Sequence, residues 1–166
     1  MSRHLLAGGL LLLTLALIGC GKGSPKDATD WSYNPPDGFT QQDKQVKGAT
    51  VFLGPVEDGF KTNLQVLAGT NPNEKAQHVA ELALQKAQAS GNVSVKEQEA
   101  YTIPDSDAYT WLISKKLPNG NVAEQRQFVV MKDGVAVLFT MTASEASMKK
   151  YDQALADSLQ SFKWGK

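Results

Sequence analysis

The clearest structural pattern in this chain is found at residues 128–162, FVVMKDGVAVLFTMTASEASMKKYDQALADSLQSF. It contains two β-rich runs, 128–131 and 135–142, on either side of Asp133-Gly134. An Asp-Gly dipeptide between two such runs is typical of the tight turn of a β-hairpin. The sequence therefore predicts two neighbouring antiparallel strands here.

A helix is predicted directly after this hairpin. Thr142 and Glu145 have the spacing of a capping box, which marks the start of a helix. Large apolar residues then recur every three or four positions: Met148, Tyr151, Leu155, Leu159 and Phe162. Such a stripe buries one side of a helix, so we expect this helix to pack against one face of the sheet.

An earlier helix is predicted to start at Asn71, which can cap it, with Pro72 in the first turn and Glu74 closing a capping box. Gly91 suits its end. Its apolar face has helical spacing and consists of Ala76, Val79, Ala80, Ala83, Leu84 and Ala87.

Further strands are predicted before this helix, at 31–33, 49–53 and 63–68, with a turn-dense loop over 54–60. After the helix, alternation of apolar and polar residues indicates strands around Val93 and Val95 and around Tyr109, Trp111 and Ile113. Asn119-Gly120 predicts a type I′ turn, and Arg126 lies on the approach to the hairpin of 128–142.

In the predicted order β-β-β-α-β-β-β-β-α, most strands follow one another directly as hairpins, and regular βαβ repeats are missing. This order indicates an α+β fold with a central antiparallel sheet and helices packed on it.

The N-terminus has the pattern of a bacterial lipoprotein signal. Arg3 and His4 precede an apolar run over 5–18, and Leu17-Ile-Gly-Cys20 resembles a lipobox. The run is shorter than the roughly 20 residues that a spanning helix needs. A signal for soluble export would prefer an Ala-x-Ala end. We therefore expect cleavage between Gly19 and Cys20, and a diacylglyceryl group and palmitate on Cys20.

Cys20 is the only cysteine, so no disulfide within the chain is possible. These features divide the chain into a signal peptide (1–19), a lipidated flexible tether (20–30) and one globular domain (31–166). Gly21 stands where an aspartate would signal retention in the inner membrane. We expect an anchor in the cell envelope, on the outer membrane facing the periplasm if the host has two membranes.

Composition excludes one class of partner. Without the signal peptide, Arg126 is the only arginine and the chain has 16 basic and 17 acidic residues. A nucleic-acid-binding domain needs a clustered basic field, so we expect no nucleic-acid partner.

Residues suited to catalysis or metal binding are sparse. His78 is predicted on a helix surface, and no Gly-x-Ser-x-Gly motif is present. Asp105 and Asp107 resemble only the first half of a calcium loop and fit a solvated turn better. Glu97 and Glu99 could form an acid pair, but they fit the exposed face of an edge strand. The sequence therefore predicts no catalytic residues, no metal and no cofactor.

The domain resembles the Mog1/PsbP-like family. The resemblance rests on WSYNPPDGF at 31–39, VFLGP at 51–55, DGFKTNLQV at 58–66, and the Asp133-Gly134 hairpin followed by a helix that closes on Phe162. It covers roughly Trp31 to Trp164. Bacterial relatives of this kind, including DcrB-like and LpqN-like proteins, are often small lipoproteins.

The resemblance implies an α/β/α sandwich and an accessory or binding module. No metal or chloride site of the PsbP type matches this sequence. We therefore expect a non-catalytic, membrane-anchored module that binds another envelope protein or complex, whose identity the sequence leaves open. The alternatives are a periplasmic carrier or sensor of a small apolar ligand, and, more remotely, a hydrolytic or metal-dependent enzyme.

Overall fold

Eleven secondary-structure elements are found in the computed structural model of the chain, which describes residues 30–42, 49–57, 59–71 and 75–165. In chain order they are β1 (Trp31–Ser32), β2 (Thr40–Gln41), β3 (Ala49–Glu57), β4 (Phe60–Thr70), α1 (Ala76–Ala89), β5 (Val93–Tyr101), β6 (Asp107–Lys116), β7 (Val122–Lys132), β8 (Val135–Ser144), α2 (Glu145–Leu159) and β9 (Lys163–Trp164).

Seven strands form the central sheet, in the order β2-β3-β4-β8-β7-β6-β5. Every neighbouring pair is antiparallel. Helix α2 contributes to the hydrophobic cluster on one face, and α1 to a separate cluster on the other. Strands β1 and β9 pair beside the α2 cluster. The predicted α+β class and α/β/α sandwich are confirmed.

The hairpin of β7 and β8 turns as the sequence predicts. Asp133 and Gly134 have φ values of 49° and 77°, the left-handed values that a type I′ turn requires. At Asn119-Gly120, by contrast, the predicted type I′ turn is wrong. Only Gly120 is left-handed there, and the connection is a longer loop over residues 117–121, closed by the hydrogen bond from the Leu117 N–H to the Asn121 carbonyl.

Helix α2 starts two residues later than predicted. Thr142 is held in β8, where it pairs with Gln125, so Ser144 is the N-cap and accepts from the backbone N–H of Ser147. The predicted stripe is nevertheless correct: all five of its residues are buried in the α2 cluster, Phe162 after the end of the helix. Fully burying a side chain such as Leu155 stabilises the fold by about 1.5–3 kcal/mol.

Helix α1 starts at Ala76, after the predicted start at Asn71, and Pro72 and Glu74 lie outside the described residues. Its first turn is capped from a distance, since the Asp107 carboxylate accepts from the Ala76 N–H at 3.0 Å. All six residues of its predicted apolar face are buried. The helix ends at Ala89, and Gly91 follows in a left-handed conformation, as predicted.

The predicted loop over 54–60 is largely strand. β3 continues to Glu57 through a bulge between Leu53 and Val56, and β4 begins at Phe60. Gly54 is buried inside β3, where a Cβ would stand 2.7–3.0 Å from the ring of Phe39. Gly54 therefore leaves room for the Phe39 ring to pack against the strand, and it does not mark a turn.

Candidate functional site

Two charged residues, Glu124 and Arg126, are part of β7, a central strand of the sheet. Arg126 belongs to this strand, and does not lie on an approach to it, because the strand begins at Val122. Its neighbour in β6 is Leu112, a residue of the α2 cluster, so Arg126 faces the layer of α2. Only 6% of its side chain is exposed. A buried cation needs partners, and the structure supplies them from two elements.

Helix α2 and edge strand β5 each contribute one carboxylate to Arg126. Its Nε and Nη2 atoms donate to Asp152 at 2.7 and 2.9 Å, and Nη2 also donates to Glu97. Burial of the guanidinium opposes its charge, but the hydrogen bonds to the two carboxylates prevail, so the pKa of Arg126 lies above its ordinary value. The group is a fixed cation and cannot serve as a proton donor or acceptor in catalysis.

A second ion-paired group lies two residues away along the same strand. Glu124, also in β7, pairs with Lys96, which in addition donates to Glu145 at 3.0 Å. The hydrogen bond to Glu124, followed by that to Glu145, raises the pKa of Lys96 to about 12. Lys96 is therefore charged at neutral pH, and this lysine is no candidate nucleophile.

A cleft opens beside Arg126, between β5 and α2. Its volume is about 120 Å³. We call it the Arg126 cleft, and it is lined by Glu99, Tyr101, Thr110, Arg126, Phe128, Asp152, Gln153 and Ala156. Phe128 forms an edge-to-face contact with Tyr101 at 4.8 Å, which gives the cleft an aromatic wall. The lining carries two carboxylates against one guanidinium, so the cleft is suited to a small cationic group.

Glu57, at the end of β3, holds the start of α2 to the sheet. Its carboxylate accepts from Lys150 at 2.7 Å and from the Tyr151 hydroxyl at 2.8 Å. These hydrogen bonds, that of Lys150 first, lower the pKa of Glu57 to about 2. Burial, followed by the bond to Glu57, raises the pKa of Tyr151. The group joins β3 to α2, which is a structural role.

The carboxylates and the histidine singled out in the sequence do not converge. Glu97 and Glu99 lie on edge strand β5, as predicted, but Glu97 pairs with Arg126 and does not form an acid pair with Glu99. His78 is on the outer side of α1, with half of its side chain exposed. Asp107 caps α1, and Asp105 occupies a left-handed turn. Within the described ranges, no three carboxylate, histidine or cysteine side chains are grouped as a metal site.

The three tryptophans do not line a shared groove. Trp111 is 1% exposed and lies in the α1 cluster. Trp31 and Trp164 pair across β1 and β9 and pack on the α2 cluster. Trp164 also donates to the Ser106 hydroxyl at 2.8 Å. These two residues fix the entry and the exit of the chain at one corner of the domain.

Sequence reasoning missed the contact between Arg126 and Asp152, which lie 26 positions apart. One signal was present: Arg126 interrupts the otherwise uncharged run from Gln125 to Met131. Gly19 and Cys20 lie outside the described residues, so their expected processing remains a prediction. None of the helices in the described part of the chain has the length and apolar character needed to cross a membrane.

An antiparallel sheet between two helices is an α/β/α sandwich, and its likeness to solved structures gives it the Mog1/PsbP-like fold. Solved structures support this assignment. A cyanobacterial PsbP (CyanoP) from Synechocystis matches with a TM-score of 0.62 and 18% identity over 88% of this chain and 97% of that one.

Two further matches come from other organisms. LpqN of Mycobacterium tuberculosis, described as involved in cell envelope biogenesis, matches with a TM-score of 0.62 and 11% identity, covering 82% of this chain and 83% of that one. The Ran-binding protein Mog1p of Saccharomyces cerevisiae matches with a TM-score of 0.57 and 10% identity, covering 81% and 90%. At these identities the likeness establishes the fold alone.

Comparison by sequence adds nothing to this likeness. No protein-family model matches the chain, and no curated protein matches it. What the protein does therefore has to be argued from its own residues.

Proposed function

We propose that the protein is a lipid-anchored module of the cell envelope that binds another envelope protein without catalysis. The lipobox ending at Cys20 supports the anchor, and Gly21 favours the outer membrane in a host with two membranes. The fold is consistent with an accessory role, since LpqN, a structure of the same fold, is described as involved in cell envelope biogenesis.

The Arg126 cleft is the observation that carries the binding role. Burying an ion pair rarely adds stability compared with apolar residues of the same volume, so stability alone does not account for a buried arginine here. The cleft is too small for a drug-sized molecule, which needs roughly 300–1,000 Å³. It does suit the head group of one side chain, and its excess of carboxylates favours a lysine or arginine of the partner.

The position of the tether restricts where the partner lies. Asp30 accepts a hydrogen bond from the Gly165 N–H at 2.8 Å, so the tether leaves the domain at the corner formed by β1 and β9. Cys20 and Asp30 are ten positions apart, a distance of at most about 35 Å when the chain is extended. The domain would therefore sample only the space next to the membrane, and so would its partner.

The alternative functions fit the described residues less well. A carrier of an apolar ligand needs an apolar cavity, whereas the Arg126 cleft is lined by charged and polar groups on one side. An enzyme would need a nucleophile beside a base, and two of the ionisable groups of the cleft, Arg126 and Asp152, are already paired with each other. The docking surface would also be polar, since Val56 is the exposed large apolar side chain in the described ranges.

The test is site-specific photo-crosslinking in living cells from position 153, where Gln153 lines the cleft and is exposed. The native lipidated protein is expected to crosslink to one envelope protein. The product should disappear with Glu99→Lys, which places a cation at the site of the partner's cation. Glu81→Lys makes the same charge change on α1, at the opposite face, and should leave the product intact.

Two controls complete the design. A crosslinker at Gln85, on the exposed side of α1, should not capture the same protein. Cys20→Ala should abolish palmitate labelling and remove the product as the protein leaves the membrane. Equal capture from both positions, or a product that survives Glu99→Lys, would contradict docking at the cleft. Continued labelling of Cys20→Ala would contradict the anchor.

A further inference from the structure

The central sheet ends at β5, and the outer edge of this strand is open. On its inner side β5 pairs with β6, and no strand of the described residues pairs with its outer side. All five residues from Lys96 to Ala100 are exposed. An open edge presents unpaired backbone N–H and C=O groups, to which an extended segment of another chain can add as a further strand.

A β-bulge divides this edge into an irregular and a regular part. The pairing with β6 shifts between Val95 and Glu97, so Lys96 is the extra residue of the bulge. A bulge bends its strand and interrupts regular pairing. From Glu97 to Tyr101 the register with β6 is continuous, which leaves about 17 Å of regular strand. We call residues 97–101 the open edge.

The open edge borders the Arg126 cleft. Glu99 and Tyr101 line the cleft, and Glu97 pairs with Arg126 on the same face of the sheet. Glu97 therefore already has a cation. Among the described residues, Glu99 has none: Lys96, the nearest lysine in sequence, pairs with Glu124 and Glu145.

The charges of the open edge select its occupant. Its charged residues are Glu97 and Glu99. Symmetric antiparallel pairing of two copies about Gln98 would place Glu97 opposite Glu99, and pairing about Glu99 would place that carboxylate opposite itself. Like charges directly opposite each other destabilise a strand pair. A second copy is therefore disfavoured, and a segment that carries a lysine or arginine is complementary.

The open edge ends close to the tether. Residues 102–106 connect Tyr101 to β6, and Ser106 in this connection accepts a hydrogen bond from Trp164 of β9 at 2.8 Å. Strand β9 pairs with β1 at the corner where the tether leaves the domain. This position agrees with a partner that is held next to the membrane.

We propose that the open edge binds an extended segment of the partner as an eighth strand of the sheet, with a lysine or arginine of that segment opposite Glu99. Opposed side chains of neighbouring strands lie about 4.5–5.5 Å apart at Cβ. The basic side chain would follow Glu99 into the Arg126 cleft. The inference rests on the proposed docking at the cleft, and it adds that the partner contributes a basic strand.

The test uses the full-length protein in detergent and an acetylated, amidated peptide of sequence Thr-Val-Thr-Lys-Thr-Val-Thr. This probe alternates strand-forming residues and reads the same in both directions, so it can add in either orientation. Backbone amide exchange is followed by nuclear magnetic resonance. With the probe at about ten times its Kd, the outward-facing amides of the open edge should exchange about tenfold more slowly. Amides of α1 should be unaffected.

Two altered peptides separate the backbone from the charge. Methylation of the three central backbone nitrogens keeps the charge and the side chains but blocks strand pairing, and should weaken binding about tenfold or more. Glutamine in place of lysine keeps the strand and should weaken binding about threefold, the effect of one exposed ion pair.

The protein variants give the matching half of a double-mutant cycle. Glu99→Gln should weaken binding of the lysine peptide about threefold and leave binding of the glutamine peptide unchanged. Glu81→Gln makes the same change on α1 and should affect neither peptide.

Three results would overturn the proposal. Equal binding of the methylated and unmodified peptides would exclude strand addition, while the proposed docking of a cation at the cleft would stand. Equal binding of the lysine peptide by Glu99→Gln and the unchanged protein would exclude the position opposite Glu99. If the probe does not bind but the crosslink from Gln153 still forms, the partner docks at the cleft without adding a strand. Conversely, slowed exchange at the open edge without that crosslink would contradict the proposed function alone.

Discussion

The ion pairs around Arg126 predict an unequal response to removing either partner. Asp152 accepts two of the hydrogen bonds of Arg126, and its own side chain is 31% exposed. Asp152→Ala leaves a guanidinium that is 6% exposed with Glu97, itself 56% exposed, as its remaining carboxylate. Breaking a fully buried pair costs about 3–5 kcal/mol, and the partial exposure of Asp152 places this variant near 3 kcal/mol.

The opposite change should cost far less. Arg126→Met keeps the apolar stem that packs beside Phe128 and leaves two carboxylates that reach water, so we expect a loss of about 1 kcal/mol or less. Urea unfolding of the detergent-purified protein, followed by circular dichroism, measures both. Asp157→Ala, on the exposed side of α2, is the control and should stay within about 0.5 kcal/mol. An equal loss for the two variants would refute the reasoning, because burial of the cation would then not decide the cost.

Three further changes test the fold around the site. Gly54→Ala forces its Cβ against the ring of Phe39 and should cost about 1–3 kcal/mol in urea unfolding; full stability would show that the ring moves freely. Asp107→Ala removes the cap of α1 and should cost about 1 kcal/mol, with faster amide exchange in the first turn of the helix as the diagnostic. Glu57 has a lowered pKa, so its contribution to stability is complete above pH 4.5 and is lost as the pH falls toward about 2. Glu57→Gln should therefore flatten the acid limb of a stability-versus-pH curve, and an unchanged limb would contradict the Lys150 pairing.

Much of the fold could be predicted because burial and periodicity act locally. The stripe containing Met148 and Leu155 and the small apolar face containing Ala80 are buried as their spacing requires. The Asp133-Gly134 turn is correct for the same reason, since its two left-handed residues suffice to join two strands. In these places, residues close in sequence determine the structure without help from distant ones.

The sequence-based predictions are wrong where the local structure depends on residues that are distant in sequence. The start of α1 depends on Asp107, which follows the helix in sequence by a whole strand. Thr142 looks like a helix cap in isolation, but pairing with β4 and β7 keeps it extended. The glycine at 54 suggests a turn, whereas the ring of Phe39 requires it inside a strand. Each of these outcomes needs a tertiary contact that periodicity does not encode.

The sequence did not predict the Arg126 cleft for a related reason. On β7, Glu124 and Arg126 alternate with Gln125 and Gln127, so a single strand presents charges to one face and amides to the other. In sequence these four residues form a polar run that resembles an exposed strand. In the structure all four are buried, and each is joined to residues from other elements. A central strand that buries four consecutive polar side chains gives up stability on both of its faces. On the charged face, binding at the Arg126 cleft would offset part of that cost, and Glu99→Lys, on the strand at the edge of the cleft, tests this.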